Sequence, residues 1–405
     1  MNQVFNTLKG IWKLIVLFVL ILLAFSYAMF QGGFVSWFLF YSFLPFALYA
    51  LALSFYSLKD FQVERILPKT EFNAGENAVI TLKIRRKAAF PLLYLVVGDG
   101  MSEQLLFSKH GKKPKRFLFP GFQKEMSLQY QIDRLPRGEH FFTSIRIKTG
   151  DALGLIEKER QVPAENRMIV YPAYEEIIYK PLAHHYDQGM TASKERVQRD
   201  TSMAIGIREY QPGDRFSWIN WKATAKRNDI MTKEFEQRQS HDVYILMDCA
   251  PDSRFEAIVS FTASIVRAIL RKGAQVGFLS SAAERTIFPV RGGEAQQLQL
   301  FYHLAKIKDD STVTLDRVLE AESFLLQQNS QLMLVTSKLS KALIEKAGFV
   351  ASKNGSITIF LIKDMNESPQ QEEIALKASA NSRGVRVIMV HNGQFSDAFT
   401  GVSKG

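Results

Sequence analysis

The chain is 405 residues long and holds a single cysteine, Cys249. An intramolecular disulfide is excluded, and this usage suits a reducing compartment. Charge is missing altogether from Leu14 to Leu58: forty-five residues contain no Lys, Arg, Asp or Glu. A hydrocarbon core about 30 Å thick takes roughly 20 helical residues. The run is too long for one span and suits two. Unpaired backbone groups are costly in lipid, so each span is expected to be a helix. The spans read Leu14 to about Met29 and about Phe34 to Leu58, joined by the uncharged turn Gln31-Gly32-Gly33. No Ala-x-Ala site separates them, which argues against a cleaved signal peptide. Lys9 and Lys13 precede the pair, and Lys59, Arg65 and Lys69 follow it. The positive-inside bias then predicts a multi-pass protein with both termini and the soluble domains in the cytoplasm.

The formal net charge is +11. Lys83, Arg85, Arg86 and Lys87 form one basic cluster, and Lys109, Lys112, Lys113, Lys115 and Arg116 another. Both lie close in sequence to the bilayer. They suit anionic headgroups or an anionic polymer. No helix-turn-helix or zinc finger accompanies them, so a lipid surface is favoured over nucleic acid.

From Phe61 to Tyr171 apolar residues alternate with polar ones, as in Ala78–Arg85, Met126–Ile132 and Phe141–Lys148. Period two with one polar face predicts antiparallel sheet. Asn73-Ala74-Gly75, Phe119-Pro120-Gly121 and Pro136-Arg137-Gly138 supply turns. A β-sandwich-like domain is expected, acting as a spacer or binding module, since no His, Asp or Cys cluster appears. Residues 172–201 then run polar and irregular. His184 and His185 there lack a third ligand or helical spacing, which argues against a metal.

The densest local signature runs from Gly206 to Arg227. Arg208, Tyr210, Pro212, Gly213 and Asp214 lead into Asn220, Trp221, Lys222 and Arg227. Pro212-Gly213 is a turn, and Asp214 or Ser217 is placed to cap a short helix toward Arg227. Two readings stand. One is a partner or anion site near a helix start. The other is a packed arm whose tryptophans are buried and whose cations pair with Glu209, Asp214, Glu234 and Glu236.

From His241 the pattern changes. Val243–Met247 is a short apolar run ending at Asp248. Phe255, Ile258, Val259, Thr262, Ile265, Val266, Ile269 and Leu270 then repeat at helical spacing, and Gly273 stops the helix. Further strands are expected at 276–279, 286–290, 332–335, 357–362 and 385–390. Helices are expected at 295–306, 315–327, 339–347 and 370–381. Alternation of this kind predicts an α/β doubly wound, mainly parallel sheet. Ligand sites in such sheets lie beyond the carboxyl ends of the strands.

Strand, Asp, loop and helix in this order resemble the von Willebrand factor type A fold. The stretch Gly206-x-Arg208-Glu209-Tyr210-x-Pro212-Gly213-Asp214 to Ile219-Asn220-Trp221-Lys222-Ala223-x-Ala225 resembles the signature of domain-of-unknown-function family fifty-eight, a bacterial membrane protein family. The resemblance covers the whole chain. It implies a partner role, with a MoxR-type AAA+ ATPase as the partner suggested. The type A fold often carries Mg²⁺ on Asp-x-Ser-x-Ser, a Thr and a second Asp. Here the first position is Asp248, the serine positions hold Ala250 and Asp252, and the threonine is Thr312 or Thr314. The second Asp position falls near Thr336-Ser337. These departures lead to the expectation of no cofactor, with Mg²⁺ on Asp248, Asp252, Thr312 and Thr314 as the alternative.

The expected layout is a cytoplasmic N-terminus at 1–13 and two transmembrane helices at 14–58. A β-rich sandwich-like domain at 59–171 is followed by a linker with the signature at 172–240. A type A-like α/β domain at 241–405 completes the chain. The expected function is a scaffold or adaptor anchored in the bacterial cytoplasmic membrane and bound to a cytoplasmic protein. Alternatives are a hydrolase or phosphoryl-handling enzyme using 206–227, and a basic protein binding an anionic polymer or lipid surface. The enzyme reading lacks a nucleophile–base pair.

Overall fold

A computed structural model describes residues 2–101, 115–180, 199–211, 214–227, 229–237, 242–322, 331–354 and 356–403. It divides into two units, Met1–Tyr171 and Pro172–Gly405.

The first unit opens with two helices, α1 (Asn2–Gln31) and α2 (Phe34–Phe55). Twenty-two residues give α2 a length of about 33 Å. Among the described residues it is the one helix long and apolar enough to cross a membrane. The apolar part of α1, Ile15–Gln31, has 17 residues. At about 26 Å it falls short of the hydrocarbon thickness. The expected multi-pass topology is therefore corrected to one candidate span. With it goes the placement of both termini and the soluble domains in the cytoplasm, which required two crossings. The end of α2 is satisfied from the β region. Lys158 Nζ donates at 2.6 Å to the carbonyl of Tyr56, which caps α2, and Arg160 Nη1 donates at 2.6 Å to that of Leu58 in the turn beyond. Cations belong there, where terminal carbonyls lack partners.

Eight strands follow: β1 (Gln62–Ile66), β2 (Glu71–Asn73), β3 (Ala78–Arg85), β4 (Leu95–Met101), β5 (Lys115–Leu118), β6 (Glu125–Ile132), β7 (Gly138–Gly150) and β8 (Glu157–Tyr171). They form a three-stranded sheet, β1-β3-β6, and a five-stranded one, β2-β8-β7-β4-β5. All pairs are antiparallel except β2 with β8, which is parallel. In β3, Ala78, Ile80, Leu82 and Ile84 are buried while Val79, Lys83 and Arg85 are exposed. Burying each large apolar side chain contributes roughly 1.5–3 kcal/mol. Both sheets share one core with Ala47, Ala50 and Leu53 of α2.

The second unit holds a hairpin and an α/β sheet. The hairpin is β9 (Arg199–Glu209) and β10 (Met231–Gln237), antiparallel, with α3 (Trp221–Arg227) between them. The sheet contains β11 (Val243–Met247), β12 (Val276–Ser280), β13 (Thr286–Arg291), β14 (Gln331–Thr336), β15 (Ile357–Lys363) and β16 (Val385–His391). Its helices are α4 (Phe255–Arg271), α5 (Glu294–Lys306), α6 (Leu315–Ala321), α7 (Lys341–Asn354) and α8 (Gln371–Ser382). The order is β13-β12-β11-β14-β15-β16, antiparallel only at the β13 edge. Counted within the sheet this is 3-2-1-4-5-6, the doubly wound order.

Each β11 residue is buried, because helices cover both faces. Tyr244 and Leu246 pack with Leu315 and Leu319 of α6 and with Leu343 and Ile344 of α7. On the other side Phe261 of α4 lies edge-on to Phe360, and Phe278 to His303 of α5. Gly273, at φ +82°, ends α4 in a conformation that glycine adopts without strain. Of the expected 315–327 helix, α6 supplies 315–321, and 323–330 lies outside the described residues.

Candidate functional site

The doubly wound order reverses between β11 and β14, and in such sheets ligand sites lie beyond the carboxyl ends of the strands at that point. Asp248 follows β11 there and is buried. Its Oδ2 accepts a 2.7 Å hydrogen bond from Thr336 Oγ1, and its Oδ1 a 3.0 Å bond from the Ala250 N–H. Cys249 lies beside it, with its N–H donating to Ser281 Oγ at 2.9 Å. Burial, with Asp248 next to it, pushes the Cys249 thiol up to about 12. Such a thiol is not a nucleophile at neutral pH.

Asp252 belongs to a chain of alternating charge. Arg254 Nε lies 3.1 Å from Asp252 and Arg254 Nη1 lies 3.3 Å from Glu367. Lys363, buried at the end of β15, donates to Glu367 at 2.7 Å and also pairs with Glu373. Lys338 adds a second cation 3.5 Å from Asp252. Burial works against ionisation of Asp252. The Arg254 side chain and N–H outweigh it, with Ser337, and hold the carboxyl well below the usual carboxylate range.

These contacts decide how the site suits Mg²⁺. Both Asp248 oxygens already accept hydrogen bonds, and Asp252 faces two cations. Thr312 and Thr314 are exposed, and Thr314 stands at the N-terminus of α6. Among the described residues no group of three or more His, Cys, Asp or Glu is placed to hold a metal. The residues present do not fit the near-octahedral oxygen shell that Mg²⁺ demands.

The signature builds a separate lobe on the hairpin. Arg208 Nη2 donates to Asp214 Oδ1 at 2.7 Å, and the Gln211 N–H donates to Asp214 Oδ2 at 3.0 Å. Asp214 thus closes the turn and does not cap the helix. Asn220 takes that role: its Oδ1 accepts from the Ala223 N–H at 3.2 Å. The Thr224 hydroxyl donates to the Asn220 carbonyl and accepts from the Met231 N–H, both at 3.0 Å. These bonds lock α3 against β10. Pro212 and Gly213 lie outside the described residues.

The aromatic side chains are arranged unlike the packed arm the sequence allows. Tyr210 stacks with Phe216, and Arg215 lies over Trp218 at 5.4 Å. Yet Phe216 is 77% exposed and Trp221 69% exposed. Lys222, Lys226 and Arg227 are exposed on the same short helix. The lobe therefore presents two large aromatic surfaces beside three cations. Sequence reasoning singled out Trp221 but missed Phe216 as an exposed group. It placed Thr336 only as the position where a type A site has its second Asp, and it missed Arg254 before α4 and Lys363 at the end of β15.

The family described as "Protein of unknown function DUF58" matches residues 206–401. A Bacillus subtilis (strain 168) relative, "Uncharacterized protein YeaD", is 39% identical over 399 residues, which cover 98% of this chain and 99% of its own. Among solved structures, the VWA domain of SpRpn10 is similar at 13% identity and a TM-score of 0.31, covering 40% of this chain and 96% of that one. The CARDB domain of a Pyrococcus furiosus protein is similar at 14% identity and a TM-score of 0.20, covering 27% and 87%.

Proposed function

This chain belongs to the family of the Bacillus subtilis relative and carries its DUF58 region, and for it we propose a protein-binding role exercised by the signature lobe. One observation carries the reading: Phe216 and Trp221 are large, exposed and held on a rigid hairpin whose polar groups bond to each other. Exposed aromatics of this kind supply the energetic centre of many interfaces. Lys222, Lys226 and Arg227 favour a partner with an acidic rim. The α/β sheet, read as type A-like, supports the same role. The carboxylates at its strand ends are already hydrogen-bonded, and its one thiol is protonated at neutral pH.

The partner suggested by the family resemblance is a MoxR-type AAA+ ATPase. The chain meets it at a membrane, through α2. Phe34, Val35, Phe38, Leu39, Phe46 and Leu48 are exposed along that helix. Lipid would cover them, whereas a core helix of a soluble protein buries such residues. The test is affinity capture with the detergent-solubilised full chain. Recovery of the ATPase in stoichiometric amount, lost in Trp221→Ala, supports the role. Absence of the ATPase, or its equal recovery by the variant, counts against it.

A further inference from the structure

The first unit carries an exposed aromatic loop that takes no part in the signature lobe or in the strand-end contacts of the α/β sheet. Phe119 is 79% exposed and Phe122 69% exposed, and Leu93 next to them is exposed as well. The loop is nonetheless rigidly held. Arg86 is buried and donates from Nε to the Gln123 carbonyl at 2.7 Å. Its Nη1 and Nη2 donate to the Phe90 and Gly121 carbonyls, each at 2.6 Å. Leu92 and Gly121 exchange two backbone hydrogen bonds of 3.0 Å. One buried guanidinium and one isolated bridge thus fix two large aromatic rings in an exposed position. Their exposure is a property of the fold and not of a frayed end.

Segment 90–93, joined to that loop through Leu92 and Gly121, touches α2 at a definite height. The Leu93 N–H donates to Tyr49 Oη at 3.2 Å. Phe90 stacks on Tyr49 and on Tyr56. Tyr49 lies six residues before Phe55, about 9 Å inside the end of the apolar helix. If α2 crosses a bilayer, Phe90, stacked between Tyr49 and Tyr56, lies within about 9 Å of the helix end, in the layer just below the headgroups. Aromatic rings are favoured at that level. Lys87 and Lys124 flank the loop and are exposed, as anionic headgroups would require.

We propose that the Phe119–Phe122 loop, together with Leu93, seats in the interfacial layer of the bilayer that α2 crosses. The β region is then docked on the membrane and does not hang from a single helix. This inference rests on the reading of α2 as a span, so the experiment must separate the two.

The native full chain carries Phe122→Cys, Phe119→Cys, Phe46→Cys or Asp133→Cys, labelled with an environment-sensitive fluorophore. Cys249 is buried and stays unlabelled. Asp133 lies just past the far end of β6, roughly 26 Å along the strand from Glu125, and serves as the aqueous control. Each variant is reconstituted in phosphatidylcholine–phosphatidylglycerol vesicles, and quenching by iodide and by doxyl-labelled lipids is measured. The proposal predicts that labels at 119 and 122 are quenched by lipids bearing doxyl high on the chain. Their iodide quenching should be several-fold weaker than at 133. If 46 is quenched by deep doxyl lipids while 119 and 122 behave like 133, the loop proposal fails and the span stands. If 46 is not quenched by lipid, both fail. Protection from iodide without lipid quenching assigns the loop to a second protein and overturns the proposal.

Discussion

Thr336 Oγ1 donates a 2.7 Å hydrogen bond to Asp248 Oδ2, and both side chains are buried. The two residues end adjacent parallel strands and lie 88 positions apart in the chain. The bond therefore fastens the sheet at the point where its winding reverses. Thr336→Val keeps the shape and removes the donor. A buried carboxylate that loses a donor costs about 1–3 kcal/mol. Urea unfolding should report a loss of that size, with little change in the slope of the transition. A neutral substitution would show that water replaces the hydroxyl and that the bond is incidental.

Asp252 makes a pH-dependent contribution. Its carboxyl titrates below its unfolded value, because the Arg254 contacts and Ser337 outweigh burial. A group whose folded pKa is depressed stabilises the fold above its unfolded pKa and loses that effect as pH falls. The unfolded value is about 3.9. Asp252→Asn should therefore destabilise by about 1–3 kcal/mol at neutral pH. The gap to the wild type should narrow as pH falls below about 4. Denaturation midpoints of the two proteins across that range provide the check, and a constant gap would mean that the charge on Asp252 contributes nothing.

Cys249 is expected to be chemically silent in the folded chain. It is buried, and its thiol is pushed up to about 12. Alkylation by iodoacetamide at neutral pH should proceed only through unfolding, so its rate should rise steeply with denaturant. Fast labelling of the native protein would show an accessible thiolate and would reopen an enzymatic reading.

How much of this was legible in the sequence depended on the range of the interaction. Strand β11 and helix α4 follow from a local apolar run and a local helical period, and they fall where those patterns place them. The charge chain from Asp252 through Arg254 to Glu367 and Lys363 joins residues up to 113 positions apart, so no local pattern announces it. The parallel pairing of β2 with β8 was hidden for the same reason. Trp221 misled in another way. Aromatic density in a sequence looks the same whether rings are buried or displayed, and only the Asn220 cap and the Thr224 bonds fix which way α3 sits. The charge-free run suits two spans only as a count of residues without charge. A crossing needs a sufficiently long apolar helix, and α2 alone among the described residues meets that condition.

The most direct test of the binding role is a titration of the full chain in detergent with a purified MoxR-type AAA+ ATPase from the same genome. Wild type, Phe216→Ala, Trp221→Ala and the control Glu320→Ala are compared. The aromatic side chains are largely exposed, so their removal should leave the fold within about 0.5 kcal/mol of the wild type. If they form the centre of the interface, each aromatic substitution should weaken binding by roughly 30-fold, about 2 kcal/mol. The control should bind as the wild type does. Equal affinity of all four proteins, or no binding by the wild type, would contradict the account.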